Sequence, residues 1–383
     1  MNQTLGRIPF SETLKYTQLA QKMIEQGKDI VRLTAGEPDF NTPEPVIEAA
    51  YTAMKKGMTK YTNSSGIEDL RVGISKMLQR YGIHYKPEEI VVSNGGKHAL
   101  FNTIYTLTNP GDGVAVITPD WVSYLSQIAI CGCRGIQIPT LFKEEFYPRP
   151  EVISKHITPE TKVLIVNSPN NPTGAVYSKE LLEEIARIAI DKNLWVISDE
   201  VYANLIYDGE HTSISTFPGM RERTVVINAF SKSHAMTGWR CGYSAAPLAV
   251  SKEIGKLQSH MTSNINAPTQ KAALKALDVD THEMFDEFKK RRDFICDQLK
   301  KIGFSFVYPK GAFYVFMDFN PYMAAFKDDD ELAQKIITDF GVAMIPGSAF
   351  HAPGFLRMSY ASSIEDLRKA AERLERFLRQ YRR

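Results

Sequence analysis

Short apolar runs alternate with amphipathic helical segments through much of this 383-residue chain, and this alternation constrains the fold more than any other feature. Several runs show no polar alternation, which is typical of strands buried on both faces of a sheet. The pattern predicts an α/β fold with a mainly parallel sheet flanked by helices, in which ligands bind beyond the carboxyl ends of the strands. The predicted strands are residues 90–93, 114–118, 136–139, 163–167, 195–199, 224–230 and 242–246. Helices are predicted at residues 12–27, 45–55, 67–81, 97–107 and 179–191.

The character of the chain changes near residue 283. A charged helix is predicted over residues 284–302, followed by strands around 311–319, a helix over 329–340, an apolar run over 342–350, a strand over 355–361 and a C-terminal helix. These shorter elements predict a second, smaller α+β domain. We expect residues 1–44 to form an N-terminal segment that joins the small domain, residues 45–282 to form the large domain, and residues 283–383 to form the small C-terminal domain.

Composition and charge argue against several classes of function. The formal net charge is +2 and no basic stripe is present, so no nucleic-acid partner is expected. No apolar run is long enough to span a bilayer and the first ten residues include no apolar leader, so we expect no membrane partner and a cytoplasmic location. The four cysteines are too few for a disulfide framework. Cys131 and Cys133 lack a second ligand pair at zinc-site spacing, so no metal is expected.

One lysine, Lys232, comes just after the apolar run at residues 224–230 and has an arginine, Arg240, eight residues on. An amine at a strand end, where the fold partly desolvates it, can have its pKa lowered enough to attack an aldehyde. Residues 231–243 read S-K-S-H-A-M-T-G-W-R-C-G-Y. This run resembles the pyridoxal-phosphate lysine motif of the class I aminotransferases, S-K-x-x-x-M-T-G-W-R-x-G-Y, and matches it at every fixed position.

The resemblance covers nearly the whole chain, from T-A-G-E-P-D at residue 34 to R-M-S-Y-A at residue 357. It implies the pyridoxal-phosphate-dependent transferase fold of type I, with pyridoxal 5′-phosphate bound by the large domain and Lys232 as the Schiff-base lysine. The chain is most similar to the bacterial and archaeal branch of the aspartate aminotransferases. That branch carries the loop G-[GA]-K-[QH]-A-L-F-N, which is found here at residues 95–102.

The turn S-N-G-G-K joins a predicted strand to a predicted helix, so its backbone amides favour a phosphate. Taken alone, such a turn is commonly just a tight connection. The resemblance implies that Gly95, Gly96 and Lys97 hold the cofactor phosphate through their backbone, together with Arg240, whose guanidinium can bind phosphate through two hydrogen bonds. Ser231 is expected to add a contact. Residue 229 is alanine where some relatives have a phosphate-binding serine.

A carboxylate, Asp199, ends the otherwise apolar run at residues 195–199. Burying it unpaired would be costly, so it needs a cationic partner, and a protonated pyridine nitrogen would supply one. The resemblance assigns Asp199 to that nitrogen as a catalytic residue. It assigns Asn171 and the catalytic Tyr202 to the 3-oxygen of the ring, and Trp121 to stacking on the ring.

An arginine, Arg357, lies inside a predicted apolar strand, where it needs a carboxylate to offset its burial. The resemblance assigns Arg357 to the α-carboxylate of an amino-acid substrate, assisted by the backbone of Gly36 and by Asn171.

The side chain of the substrate has separate candidate hosts. The resemblance assigns Lys97 to a distal carboxylate, helped by Ser11 and Thr13, with Trp121 also in contact with the substrate. The same lysine could instead be a solvated loop residue.

These residues predict transfer of the amino group of L-aspartate to 2-oxoglutarate through a ping-pong mechanism in which Lys232 moves the substrate proton. A homodimer is implied, because Tyr61 is expected to reach the cofactor phosphate of the partner subunit. A broad-specificity, aromatic or prephenate aminotransferase and a carbon–sulfur β-lyase remain alternatives. Another is a ligand-sensing transcription regulator, which would need an added DNA-binding domain for which residues 1–10 leave no room.

Overall fold

The computed structural model describes residues 3–381, except the side chain of residue 7. The first two residues of the predicted N-terminal segment and the last two of the predicted small domain therefore lie outside the described residues. Within this range the strands are β1 Val31–Arg32, β2 Ile90–Ser93, β3 Gly113–Thr118, β4 Arg134–Pro139, β5 Thr161–Asn167, β6 Trp195–Asp199, β7 Thr224–Ala229, β8 Gly242–Ala245, β9 Ser305–Phe306, β10 Tyr314–Asp318, β11 Val342–Ala343, β12 Ile345–Pro346 and β13 Phe355–Ser359.

The helices of the described residues include long surface helices and short connecting ones. They are α1 Glu12–Glu25, α2 Glu44–Lys55, α3 Glu68–Gln79, α4 Gly96–Leu107, α5 Tyr124–Ile130, α6 Pro150–His156, α7 Lys179–Asp191, α8 Phe230–Ser233, α9 Leu248–Met261, α10 Ala267–Ala276, α11 His282–Ile302, α12 Asp329–Lys335 and α13 Ile364–Tyr381. None of the helices in residues 3–381 is long and apolar enough to cross a membrane.

A seven-stranded sheet has the order β2-β8-β7-β6-β5-β3-β4. Strand β8 runs antiparallel to both of its neighbours, and the other pairs are parallel. The prediction of a mainly parallel sheet in an α/β fold is therefore confirmed. The apolar runs have no polar alternation because both faces are covered. In β5, Val163 and Ile165 pack with residues of α4 and α9, whereas Leu164 and Val166 pack with residues of α7.

The carboxyl edge of this sheet brings polar residues together. Asn167 at the end of β5 pairs in register with Asp199 at the end of β6. Strand β7 ends beside them at Ala229 and leads directly into α8, which carries Lys232. Strand β2 ends at Ser93, before the turn into α4. Parallel strands thus deliver side chains from distant parts of the chain to one side of the sheet.

A second, four-stranded sheet has the order β12-β13-β10-β9 and is antiparallel. Its strand β13 carries Arg357, which pairs in register with Phe316 of β10 and Ile345 of β12. Near it, β1 pairs in parallel with β11. The Tyr16 hydroxyl in α1 donates to a carboxylate oxygen of Asp330 in α12 over 2.8 Å. These contacts join the N-terminal residues to elements of the predicted small domain, and the division at residues 44 and 282 stays a prediction.

Several predicted bounds were wrong in detail. Residue 230 was expected to end a strand, but Phe230 begins α8. The helix predicted over residues 329–340 leaves the α geometry at Lys335 and continues as a π-helical turn, Ile336–Phe340. The apolar run at 342–350, for which no single element was predicted, forms β11, β12 and a 3₁₀ turn, Gly347–Phe350.

Candidate active site

A cavity of about 540 Å³ opens at the carboxyl edge of the large sheet and gathers most of the predicted site residues. Those that line it are Ser11, Thr13, Gly36, Gly96, Lys97, Trp121, Asn171, Asp199, Tyr202, Ser231, Lys232, Arg240 and Arg357. Gly95 and Tyr61 are the predicted residues that do not line it. Ala229, at the position where some relatives have serine, lines the cavity beside Ser231.

The amine of Lys232 enters this cavity from α8. Its Nζ donates a hydrogen bond to the carbonyl of Gly36, in the loop between β1 and α2. Burial lowers the pKa of Lys232 to about 8, and the positive charges of Arg357 and Arg240 act in the same direction, whereas Glu37 opposes them. A lysine with a pKa of about 8 is about one-tenth neutral at pH 7, far more than a lysine in water, and is therefore a better nucleophile.

The Asp199 carboxylate lies at the end of β6 and is 6% exposed. Tyr124 Oη donates to its Oδ2 over 2.6 Å, and the backbone N–H of Val201 donates to its Oδ1 over 3.3 Å. Burial raises the pKa of Asp199 to about 6, and the hydrogen bond from Tyr124 opposes this rise. Asp199 forms no salt bridge with any of the described residues. A cation that enters the cavity would therefore stabilise the ionised form of this carboxylate.

Arg357 projects from β13 and is 2% exposed. Its Nη1 donates to Oδ1 of Asn171 over 2.9 Å, and its Nη2 donates to the carbonyl of Thr34 over 3.1 Å. Its guanidinium carbon lies 4.3 Å from the centroid of the Tyr314 ring. The buried Nε has no hydrogen-bond partner among the described residues, and no carboxylate of those residues forms a salt bridge with this arginine. This buried cation therefore has capacity for an external anion.

Tyr202 lies near this arginine, in the turn after β6. Its hydroxyl is 2.7 Å from the hydroxyl of Tyr314, and both side chains are buried. Asn171 is held by its backbone N–H, which donates to Oδ1 of Asn167 over 3.0 Å. The hydroxyl and amide groups are thus fixed at the cavity wall by their neighbours.

An anion cradle lies at the start of α4. Gly95 has φ of +81°, and a Cβ added there would lie 2.6 Å from Nη2 of Arg240. The space that a side chain at residue 95 would occupy is therefore taken by a guanidinium. The first N–H groups of a helix have no intrahelical acceptor, and those of Gly96 and Lys97 are at this position. The cradle has the donors and the positive charge that a phosphate requires.

Lys97 lies at the mouth of the cavity with Trp121. Its Nζ is 4.9 Å from the centroid of the indole ring. Partial burial and the nearby charge of Arg240 lower the pKa of Lys97. Ser11 caps the start of α1 without a side-chain hydrogen bond to it, so its hydroxyl is available to the cavity.

Tyr61 is on the surface, with 87% of its area exposed, in the loop between α2 and α3.

His98, beside Lys97, and His234, two residues after Lys232, do not line the cavity. His98 accepts the backbone N–H of Asn94 on its Nδ1 over 3.2 Å, and His234 is buried with its Nδ1 2.8 Å from the Ser233 hydroxyl.

Six polar residues that line the cavity were not predicted from the sequence, namely Thr17, Glu37, Tyr124, Asn167, Thr237 and Tyr314. Tyr124 and Tyr314 line the cavity and hydrogen-bond to Asp199 and Tyr202. Glu37 also lines it and accepts a hydrogen bond from the Thr237 hydroxyl over 2.7 Å. Tyr124 had a usable signal, since it stands three residues after the tryptophan of P-D-W-V-S-Y, at the spacing of one helical turn.

A nucleophilic amine, a buried carboxylate without a counter-ion and an anion cradle surround one cavity. These are the groups that an aldehyde cofactor with a basic ring nitrogen and a phosphate requires, so the residues present fit pyridoxal 5′-phosphate. The fold and the site define the class of the protein as a pyridoxal-phosphate enzyme of fold type I.

The model of the family described as aminotransferase class I and II matches residues 28–374. The chain belongs to this family, and it is a pyridoxal-phosphate-dependent transaminase.

The chain is 45% identical to the aspartate aminotransferase of Thermotoga maritima, with 99% of each chain covered. It is 43% identical to the aspartate/prephenate aminotransferase of Thermus thermophilus, with 96% of each covered. The structure is similar to that of the Thermus thermophilus aspartate aminotransferase with maleate, with a TM-score of 0.93 and 41% identity. That match covers 98% of this chain and 99% of the other.

Proposed function

We propose that this transaminase moves the amino group of L-aspartate to 2-oxoglutarate and so forms oxaloacetate and L-glutamate. The observation that carries the proposal is a cavity with two cationic hosts. Arg357 is buried without a carboxylate partner among the described residues, and Lys97 lies beside Trp121 at the mouth. A substrate with one carboxylate at each end would pair with both cations. Two relatives whose names include aspartate support the same substrate.

The cofactor would be held by residues of the large sheet and its helices. The backbone N–H groups of Gly96 and Lys97, the Ser231 hydroxyl and Arg240 would bind its phosphate, and Trp121 would stack on its ring. The N–H of Gly95 donates to the carbonyl of Ser93 over 2.7 Å, so Gly95 would contribute by leaving space for Arg240. Asp199 would pair with the ring nitrogen, for which its buried and incompletely paired carboxylate is suited. Asn171 and the Tyr202 hydroxyl would bind the 3-oxygen of the ring.

When bound, pyridoxal phosphate supplies an aldehyde for primary amines and a cationic ring that withdraws electrons from the Cα of an amino acid. Lys232 would hold the cofactor in the resting enzyme. When not bound to the cofactor, the Lys232 amine would accept the proton from the substrate Cα. Its lowered pKa makes the neutral form available for this step. Arg357, with Asn171 and the backbone of Gly36, holds the α-carboxylate so that Cα faces the amine.

We also propose a homodimer in the cytoplasm. Tyr61 is 87% exposed in the single chain, so it is free to reach the phosphate site of a partner subunit. All four cysteines are buried and unpaired, which fits a compartment that keeps thiols reduced. Sedimentation of the purified protein tests the dimer, and a monomer at micromolar concentration would contradict it.

The reaction is tested by incubating the holoenzyme with aspartate and 2-oxoglutarate and measuring oxaloacetate. No oxaloacetate, with pyruvate and ammonia formed from cystathionine instead, would replace this proposal by a carbon–sulfur β-lyase. Prephenate is a second candidate acceptor, because one relative is named for aspartate and prephenate. The same assay with prephenate in place of 2-oxoglutarate tests it.

The role of Lys97 is tested with Lys97→Ala. We expect a loss of about a hundredfold in kcat/KM for aspartate and a much smaller loss for alanine or phenylalanine, because only aspartate presents a second carboxylate. Lys369→Ala is the matched control, since this lysine lies on α13 with 44% of its side chain exposed and pairs with Glu365. Equal losses for all three amino acids would mean that Lys97 does not bind the side chain.

A further inference from the structure

A contact between a half-buried histidine and a buried carboxylate joins two loops that are 231 residues apart in the chain. Asp120 lies just after β3 and directly before Trp121, and its side chain is 1% exposed. Its Oδ1 is 2.5 Å from Nδ1 of His351, which follows the 3₁₀ turn Gly347–Phe350. The backbone N–H of Asp120 also donates to the carbonyl of Phe350 over 3.2 Å. A side-chain contact and a main-chain contact therefore hold the same two loops together.

Each of the two loops carries an aromatic residue that lies beside one of the two cations. On one loop, the ring of Trp121 lies 4.9 Å from the ammonium of Lys97. On the other, the ring of Phe350 lies 4.8 Å from the guanidinium carbon of Arg357. The Asp120–His351 contact therefore connects the loop beside Lys97 with the loop beside Arg357.

Two features of the Asp120–His351 pair are expected to lower the free energy of unfolding. Oδ2 of Asp120 is buried and has no hydrogen-bond partner among the described residues, and such a group costs free energy. His351 has φ of +59°, which is uncommon for a residue with a Cβ. Apolar residues often replace a buried ion pair without loss of stability. A positional role explains why both features are present at this point between the loops.

We propose that Asp120 and His351 are positioning residues that set the spacing between Lys97 and Arg357, and thereby the relative affinity of the cavity for four-carbon and five-carbon dicarboxylates. The inference rests on the proposed function, which takes these two cations as the hosts of the two carboxylates. Four-carbon and five-carbon dicarboxylates differ by one methylene group. The proposed reaction uses both lengths in one cavity, so the separation of the two cations determines how tightly each length is bound.

The test measures dissociation constants of the holoenzyme by calorimetry for succinate, glutarate and butyrate. Succinate and glutarate have four and five carbons, and butyrate lacks the second carboxylate. The first variant is His351→Leu. The second, Asp120→Asn, removes the charge of the carboxylate and keeps its shape. His351→Asn is the rescue variant, because asparagine offers an N–H at the same δ position and tolerates positive φ. His282→Leu is the matched control, since His282 pairs with Asp280 over 2.7 Å in solvent.

We expect His351→Leu and Asp120→Asn to change the ratio of the succinate and glutarate dissociation constants by about tenfold. Butyrate binding should be unchanged, the rescue variant should stay within about threefold of the wild-type ratio, and the control should equal the wild type. An unchanged ratio, or equal weakening of both dicarboxylates, would overturn the inference and leave the proposed function standing. A wild-type enzyme that binds butyrate as tightly as succinate would instead refute the proposed function.

Discussion

A Tyr124→Phe substitution removes one hydrogen bond from the Asp199 carboxylate while the aromatic ring stays in place. The phenol donates to Oδ2 over 2.6 Å, and both side chains are buried. A hydrogen bond to a charged group contributes about 1.5–3 kcal/mol, and one pKa unit corresponds to about 1.4 kcal/mol. The pKa of Asp199, about 6 in the wild type, should therefore rise by about one to two units. At pH 7 its ionised fraction would fall from about nine-tenths to between about one half and one tenth.

The assay is the affinity of the apoenzyme for pyridoxal phosphate as a function of pH. Only the ionised carboxylate attracts a protonated ring nitrogen, so the affinity should fall on acidification with a midpoint near pH 6 in the wild type. In Tyr124→Phe the midpoint should move to about pH 7–8. Tyr243→Phe is the matched control, because that buried hydroxyl has no hydrogen-bond partner among the described residues. A midpoint in Tyr124→Phe equal to that of the wild type would refute the reasoning.

Three further outcomes follow from the site. Gly95→Ala should weaken pyridoxal phosphate binding by about tenfold, because the new Cβ would displace Arg240. The control Gly111→Ala has a similar φ of +95° but open space around it, so it should not weaken this binding. Equal effects of the two substitutions would mean that backbone strain alone is responsible. Arg357→Leu should lower kcat/KM for all amino-acid substrates by about a hundredfold, since every one carries an α-carboxylate, and a loss limited to dicarboxylates would contradict this. The rate at which the apoenzyme binds pyridoxal phosphate covalently should rise with pH through about 8 and become constant above it. The reason is that burial lowers the pKa of Lys232 and only its neutral amine attacks the aldehyde. A pH-independent rate would contradict this.

The strands of the large sheet could be predicted because a strand that is buried on both faces has a continuous apolar sequence. Leu164 and Val166 face one layer of helices while Val163 and Ile165 face the other, so the run has to be apolar throughout. The direction of a buried strand does not change its apolar pattern, so the sequence did not indicate that β8 is antiparallel to its neighbours.

The strand-end residues of the site could also be predicted, because a polar residue such as Asp199 after an apolar run lies at the edge of the sheet. Contacts that depend on strand register could not. Tyr314 reaches Tyr202 and Arg357 only because β10 and β13 pair with Tyr314 opposite Ser359. The Asp120–His351 contact likewise requires two loops from different sheets to meet, which no local pattern encodes.

The central claim is that the Lys232 amine holds the cofactor. Borohydride reduction of the holoenzyme, followed by peptide mass spectrometry, attaches the cofactor permanently to the amine that binds it. We expect a pyridoxyl group on Lys232, and neither label nor turnover in Lys232→Ala. A label on another lysine such as Lys97, or wild-type turnover in Lys232→Ala, would contradict it.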